Sequence, residues 1–363
     1  MNTVSPMKKF AENLNYLRIN RGISQGELAE RISVSEKTIM RYESGNFNPK
    51  MNIVVSLADA LNVRVDDFFN DNLSQESMMD GFKIKGVTEC FSDLNYREGF
   101  KIPETLSHSI KEQTVDRLLK IKELYDLLNV NVKFNNPLEK QKPVKSKEDA
   151  QKAAIKVRKK WNIGNSPILS VVTTLENQGI NVIELEAPEE FEGLSAYVND
   201  IPIIVLNKAI KEKTRRRFTA LHELGHLILT IHDDLDVNAI ERICDAFAAT
   251  MLIPKELLIL ELGEKRSRLS QNELKSLKEK YGISVKAILV GAAYSKIIDW
   301  EEYHERKNDL VGLGEYEGKE QATKFHQLVY RGIVEGQISQ GKAKYFTGMS
   351  SRIFNSTIKE AYG

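Results

Sequence analysis

The sequence has little cysteine, no long apolar run and almost no net charge. Its 2 cysteines, Cys90 and Cys244, are too few and too far apart for a disulfide framework, which indicates a reducing compartment. No run of roughly 18 apolar residues occurs, and the amino terminus lacks the apolar segment of a signal peptide, so membrane insertion and export are not expected. A formal net charge of +1 excludes a uniformly basic coat for nucleic acid. We therefore expect a soluble, cytoplasmic protein.

The length and the pattern of breaks predict several domains. With 363 residues, 41% of them hydrophobic and 28% charged, the chain can bury more than one core. We divide it into a helical cluster over 8–70, a connecting region over 71–147, a mixed region of strands and helices over 148–300, and a mostly helical carboxy-terminal region over 301–363. The connecting region contains a weak strand candidate at 81–87 and a long helix, and it ends in a basic, proline-containing linker.

Four short helices are expected over residues 8–70. Ser24, with Glu27 three residues further on, predicts a capping box that opens the second helix. Ser35 predicts the start of the third helix, and apolar spacing predicts a fourth over 51–61. The apolar positions that would join these helices are Leu28, Ala29, Val34, Ile39, Leu57 and Leu61.

This arrangement resembles the XRE (lambda-repressor-like) helix-turn-helix family over most of residues 8–70. The resemblance implies that the third helix enters the major groove of an operator, so that double-stranded DNA is a partner. The residues implied at the DNA are Gln25, Ser35, Lys37, Thr38 and Arg41. Residues 1–70 contain nine Lys/Arg and eight Asp/Glu, so charge adds little to the case, and a domain used for protein contacts is the alternative.

The motif that carries chemistry is an HExxH pentad. On a helix, residues four apart share a face, so His222 and His226 can hold one metal ion. Glu223 follows the first histidine, where a carboxylate can take a proton from water. The alternative is a helix that carries two histidines by chance. A second predicted helix places Glu241, a candidate third ligand, four residues before Asp245, which would either orient a liganding histidine or pair with a nearby arginine.

Four further residues lie on or near the predicted site elements, and each has an expected role. Gly225 is unfavourable inside a helix, which predicts close packing against a neighbour. Cys244 is expected to be a buried packing residue rather than a ligand, and His232 to lie on a solvated loop. Tyr197 lies on a predicted edge strand that could pair with an extended peptide substrate.

These motifs resemble the ImmA/IrrE metallopeptidase family over residues 148–300. The resemblance implies a single Zn²⁺ held by His222, His226 and Glu241, with Glu223 as the general base. It also implies a donor to the transition state, for which Tyr197 is the candidate although spacing alone does not place it. It also implies that the substrate is a protein, in particular a helix-turn-helix repressor. Many relatives have Asn where this chain has Asp245, and a further Glu where it has Ile243. The second difference concerns which acidic residue ligates the metal, and in this chain Glu241 is the only Glu on that turn of the helix.

Together the two resemblances predict a multidomain protein: an all-α helix-turn-helix domain, an α+β zincin-like metallopeptidase domain and a mostly helical carboxy-terminal region. Three functions compete. The first is a DNA-associated zinc endopeptidase that cuts a regulatory protein. The second is a DNA-binding regulator, or an antitoxin-like protein, whose peptidase-like domain is a sensor, and the third is a scaffold with neither activity. The carboxy-terminal helices either form a homodimer, which a two-fold operator would require, or pack on the peptidase domain.

Overall fold

The structure is a computed structural model that describes residues 6–20, 23–45, 47, 49–61, 63–69, 104–198, 201–306, 314–349, 354 and 356. The predicted strand at 81–87 and Cys90 lie outside these residues. The chain divides into two compact units, one formed by Met1–Ile84 with Ser339–Gly363 and the other by Lys85–Ile338. None of the helices in the described ranges has both the length and the apolarity needed to span a membrane.

The first unit begins with α1 (Pro6–Asn20), α2 (Gln25–Arg31), α3 (Glu36–Glu43), α4 (Met51–Leu61) and a 3₁₀ helix at Val65–Phe69, and it also contains α15 (Gln340–Thr347). The predicted capping box is present. Ser24 Oγ accepts a hydrogen bond from the backbone N–H of Glu27 (3.1 Å), and Glu27 Oε2 accepts one from the N–H of Ser24 (2.9 Å). Ser35 caps α3 in the same way, through the N–H of Thr38 at 3.2 Å. The caps therefore fix where α2 and α3 start, on either side of the turn.

The core of this unit contains the apolar residues that the sequence pattern selected. Five of the six predicted positions are buried, namely Leu28, Ala29, Ile39, Leu57 and Leu61, and Val34 is partly buried against them. Phe10 packs on Phe68 with ring centroids 5.1 Å apart, which joins α1 to the 3₁₀ helix.

The second unit contains α5 (Glu104–Leu127), α6 (Lys147–Lys160), α7 (Val171–Asn177), β1 (Asn181–Leu185), β2 (Gly193–Val198), β3 (Ile201–Asn207), α8 (Lys213–Ile228), α9 (Val237–Leu252), α10 (Lys255–Leu262), α11 (Gln271–Tyr281), α12 (Val285–Tyr294), α13 (Trp300–Arg306) and α14 (Lys324–Val334). The three strands form one sheet in the order β1-β3-β2. β3 pairs in parallel with β1 and antiparallel with β2. Within the described residues β2 is therefore an edge strand, as expected for the strand that carries Tyr197.

Helix packing on this sheet positions the motif. α8 packs on β2 and β3 and against α9, and α9 packs in turn against α6. Helix α9 starts at Asp236, whose side chain accepts a hydrogen bond from the N–H of Ala239 at 2.6 Å. Gly282 ends α11 in the left-handed conformation (φ 58°).

The apolar stripe of α14 is used within this unit. Phe325, Leu328, Val329 and Gly332 are buried, and the helix packs against α5. Arg117 of α5 lies over the Phe325 ring, 3.8 Å from its centroid. The carboxy-terminal helices were expected either to form a homodimer or to pack on the peptidase domain. For the apolar stripe of α14, the structure favours packing.

Candidate metal centre

Two helices carry the proposed ligands. α8 places the Nε2 atoms of His222 and His226 3.0 Å apart. α9 brings Glu241 Oε2 to 3.1 Å from His222 Nε2, and Glu241 Oε1 to 3.2 Å from His226 Nε2. One donor atom from each residue lies within 4.8 Å of the other two. The three side chains are partly shielded from solvent and face one another across the two helices.

Asp245 lies behind the first histidine. Its Oδ1 is 2.9 Å from Nδ1 of His222, which leaves Nε2 as the ring nitrogen that faces Glu241 and His226. Burial opposes a charge on His222, but hydrogen bonds to Asp245 and Glu241 outweigh it and raise the pKa of His222 to about 9. Of the two partners that the sequence left open for Asp245, the geometry favours the histidine, since Arg217 pairs with Glu320.

Glu223 is held from the sheet side. Its carboxylate is buried, and Oε2 accepts a hydrogen bond from Ser195 Oγ of β2 at 2.9 Å. β2 comes this close because residue 193 is a glycine. A Cβ on Gly193 would lie 2.8 Å from Val205 O, 3.1 Å from Thr219 Cγ2 and 3.4 Å from Glu223 Cγ. Sequence reasoning gave no role to Ser195, because only the fold brings residue 195 to residue 223.

Gly225 lets the two helices approach each other. A Cβ there would sit 3.4 Å from Cα, Cβ and Sγ of Cys244, at van der Waals contact with α9. Cys244 is buried and forms no disulfide. The structure thus gives Gly225 the close contact that its position in a helix predicted. The contact is at Cys244, three residues after Glu241 and immediately before Asp245.

A buried ion pair anchors the start of α8. Arg217 Nη1 pairs with Glu320, with both side chains at most 1% exposed. Arg217 also donates to the carbonyl oxygens of Gly282 (Nε, 2.9 Å) and Ile168 (Nη2, 2.6 Å). Glu320 accepts from the N–H of Val171 at 3.0 Å, at the start of α7. The three adjacent arginines of α8 gave no indication of this network, because its partners lie far away in the sequence.

Two other predicted residues, Tyr197 and His232, lie on β2 and after α8. Tyr197 follows Ser195 by two residues, so both lie on the same face of β2, and its side chain is 39% exposed. Burial of part of the ring raises the pKa of Tyr197, which keeps the hydroxyl protonated at neutral pH. The His232 side chain pairs with Asp234 at 3.2 Å.

The donor set fits one zinc ion. Two imidazoles and one carboxylate, two of them from an HExxH helix, are the protein ligands of many catalytic zinc sites, in which a fourth position is left for water. The Nδ1 atom of His222 contacts the carboxylate of Asp245, and metal-ligating histidines usually have such a partner on the nitrogen that does not bind the metal. His222, His226 and Glu241 would hold the metal, with Glu223 beside them.

The first unit presents a separate polar face on α3. Ser35, Lys37 and Arg41 are exposed, and Thr38 is partly buried with its Oγ1 2.8 Å from Ser35 Oγ. Gln25 is partly buried and donates through Nε2 to Glu43 Oε2 at 2.7 Å, which orients its amide. Met40, which was not among the predicted contacts, is 53% exposed on the same helix.

The fold and the site together define a chain in which a helix-turn-helix domain accompanies a domain with an HExxH helix and a candidate metal site. Comparisons with known proteins give the families. Residues 14–68 match the helix-turn-helix domain family, and residues 175–292 match the IrrE N-terminal-like domain of the M78 peptidases. The chain therefore belongs to the helix-turn-helix regulators and carries an IrrE-like domain, as both resemblances predicted, and its predicted fold class is confirmed.

The relatives are named as regulators. A protein of Methanococcus vannielii named as an HTH-type transcriptional regulatory protein is 27% identical over 57% of this chain and 61% of its own length. A similarly named protein of Methanococcus maripaludis is 27% identical over 52% and 58%. An HTH-type transcriptional regulator of Archaeoglobus fulgidus is 35% identical over 14% of this chain and 74% of its own length. The chain thus spans about three fifths of the first two relatives.

Proposed function

We propose that this protein is a DNA-associated regulatory zinc endopeptidase that hydrolyses a peptide bond in a regulatory protein. The observation that carries the proposal is the convergence of His222, His226 and Glu241, with the buried carboxylate of Glu223 held beside them by Ser195. A structural metal site would not need an oriented carboxylate next to its ligands, whereas hydrolysis needs a general base.

The residues divide the chemistry between them. A bound zinc ion would supply a Lewis acid that activates water and polarises the peptide carbonyl. Glu223 takes the proton of the attacking water on its carboxylate and passes it to the amine nitrogen as the C–N bond breaks. Tyr197 donates a hydrogen bond to the oxygen that gains charge. The open edge of β2 accepts the substrate as an extended strand, which aligns its carbonyl with these groups.

The helix-turn-helix domain points to the class of substrate. A peptidase for general digestion has no use for a DNA-reading domain in the same chain, whereas one that acts on a transcriptional repressor gains by being located at the same DNA. The exposed polar face of α3 and the names of the relatives support an operator as partner. Both tasks belong to the cytoplasm.

The decisive experiment compares the purified full-length chain with Glu223→Gln. Both are analysed for zinc and incubated with repressors encoded by neighbouring genes. We expect about one zinc per chain in both proteins, and cleavage of one repressor by the wild type only. If the wild type contains zinc but cleaves no repressor, the proposed metal site is supported and the proposed peptidase activity is rejected. Absence of zinc from freshly purified wild type would overturn the enzyme altogether.

A second function is favoured by the naming of the relatives as regulators. In it the chain is a DNA-binding regulator, or an antitoxin-like protein, and the metal centre senses rather than cuts. It predicts operator binding that survives Glu223→Gln and is lost in Lys37→Ala/Arg41→Ala. Operator binding with no cleavage of any repressor would select this function over the first.

A further inference from the structure

A dense group of lysines lies on α6 and the turn before it. Residues 139–160 contain nine Lys/Arg and three Asp/Glu, a net charge of +6, whereas the whole chain has +1. We call the following residues the lysine surface: Lys140, Lys142, Lys145, Lys152, Lys156, Lys159 and Lys160. Six of the seven are exposed, and Lys156 is partly buried.

The fold makes these lysines one surface. The other side of α6, which includes Ala153 and Val157, is buried in the core of the unit against α9. The lysines of α6 therefore point away from the metal centre. Lys156 Nζ donates to Gln141 Oε1 at 3.3 Å, which brings the turn that carries Lys140 and Lys142 alongside the helix.

The charge of this surface is not balanced within the described residues. None of its seven lysines forms an ion pair there, whereas Lys120, Lys213 and Lys280 of the same unit each pair with a carboxylate. Lys159 and Lys160 compensate the helix dipole in the last turn. The dipole does not account for Lys152 or Lys156, which lie further back along the helix.

The spacing of the lysines weakens the helix that carries them. Lys152, Lys156 and Lys160 follow one another at intervals of four, and like charges at that spacing destabilise a helix by roughly 0.2–0.5 kcal/mol per pair. A face that needed only to be soluble would alternate lysine with glutamate, which stabilises by a similar amount. The row therefore concentrates positive charge that an anionic partner would neutralise.

We propose that the lysine surface binds the phosphate backbone of double-stranded DNA, independently of base sequence. The helix-turn-helix part of the chain is nearly neutral, with nine Lys/Arg and eight Asp/Glu in residues 1–70. Most non-specific affinity of proteins for DNA comes from neutralised phosphates. The lysine surface supplies these contacts, so that α3 reads the bases and α6 adds affinity and retention on DNA.

The test measures binding of the full-length chain to a random-sequence duplex of about 40 base pairs, which exceeds one half-site several-fold. The variant is Lys152→Gln/Lys156→Gln/Lys160→Gln, in which helix propensity is nearly unchanged. We expect the affinity at low salt to fall at least about tenfold, and the slope of log K against log [salt] to become shallower by about 1 to 3, since each lost phosphate contact accounts for about 0.9. Circular dichroism reports whether α6 remains folded.

Two controls make the result specific. Lys255→Gln/Lys265→Gln/Lys286→Gln removes the same charge from exposed lysines of the same unit that form no ion pair in the described residues, and it should bind DNA almost as the wild type does. Replacing the three test lysines by arginine should keep both affinity and slope. Equal losses of DNA affinity in the two glutamine variants would overturn the proposal. A test variant that binds DNA like the wild type would also overturn it, and this is the result expected if the surface binds an acidic protein instead. Because the duplex has no operator, the outcome does not depend on base reading or on cleavage.

Discussion

At the scale of single residues, the hydroxyl of Ser195 is expected to set the position of the general base. Ser195→Val removes the donor to Glu223 Oε2 but keeps a residue that suits a strand. Cleavage should slow by about 10- to 100-fold, the usual effect of losing an outer hydrogen-bond partner at a metal site, while zinc content is unchanged. Rates on the cleaved repressor and metal analysis of the same samples measure the two effects.

Ser195→Thr is the matched control, because threonine has the shape of valine and restores the hydroxyl. It should recover most of the rate. If valine and threonine slow cleavage equally, the space at β2 and not the hydrogen bond limits the reaction.

The residues of the metal centre were predictable to different degrees. The histidine pair follows from the helix period alone, since residues four apart share a face. Glu241 and Asp245 were found by the same rule on a second helix, but no rule of spacing shows that the two helices meet. Gly225 gave the one indication, because an interior glycine is unfavourable unless another element approaches closely. Ser195 could not be found, since its role depends on which edge of the sheet faces α8.

At the scale of elements, the approach of α8 to α9 sets the distance between Glu241 and the histidines. Gly225→Ala should be tolerated, because its Cβ would just reach van der Waals contact with Cys244 and alanine favours the helix. Gly225→Leu would force the helices apart. We expect it to lower the free energy of unfolding by about 1–3 kcal/mol and to reduce the zinc content, measured by metal analysis after dialysis. Full zinc content in the leucine variant would show that the helices can separate without disturbing the ligands.

Acid should loosen the docking of α14. Burial, together with the cations Arg117 and Lys208, lowers the pKa of His326 from 6.5 to about 4. The unfolded chain therefore binds a proton more readily than the folded one, so this residue has no effect above about pH 6.5 and destabilises as the pH falls towards 4. The loss should reach about 2 kcal/mol at pH 5.

Urea unfolding at pH 7 and pH 5 measures this loss, followed by tryptophan fluorescence. Both tryptophans of the chain, Trp161 and Trp300, lie in the second unit, so the signal reports that unit. His326→Gln should reduce the difference between the two pH values. An unchanged difference would assign the acid sensitivity to other groups.

At the scale of the whole molecule, local rules predicted the elements well and the long-range connections poorly. The capping box at Ser24 and the helix at Met51–Leu61 both follow from a few neighbouring residues. The predicted end of the peptidase domain at residue 300 followed the extent of the family resemblance. The second compact unit extends to Ile338, because Glu320 and α14 pack on elements more than a hundred residues earlier.

The extent of this unit leads to a prediction about its stability. Glu320→Gln leaves the guanidinium of Arg217 buried without its carboxylate, and breaking a buried pair costs roughly 3–5 kcal/mol. Glu317→Gln is the control, since Glu317 pairs with Lys213 at 3.2 Å while 84% exposed, and such a pair contributes less than about 1 kcal/mol. In urea unfolding followed by tryptophan fluorescence, the first variant should be strongly destabilised and the second should match the wild type. Because Arg217 begins the turn of α8 that leads to His222, Glu320→Gln should also weaken zinc retention. Equal stability of the two variants would mean that the carboxy-terminal segment is not part of the folded peptidase-like unit, and that the unit ends at residue 300, the predicted end of the peptidase domain.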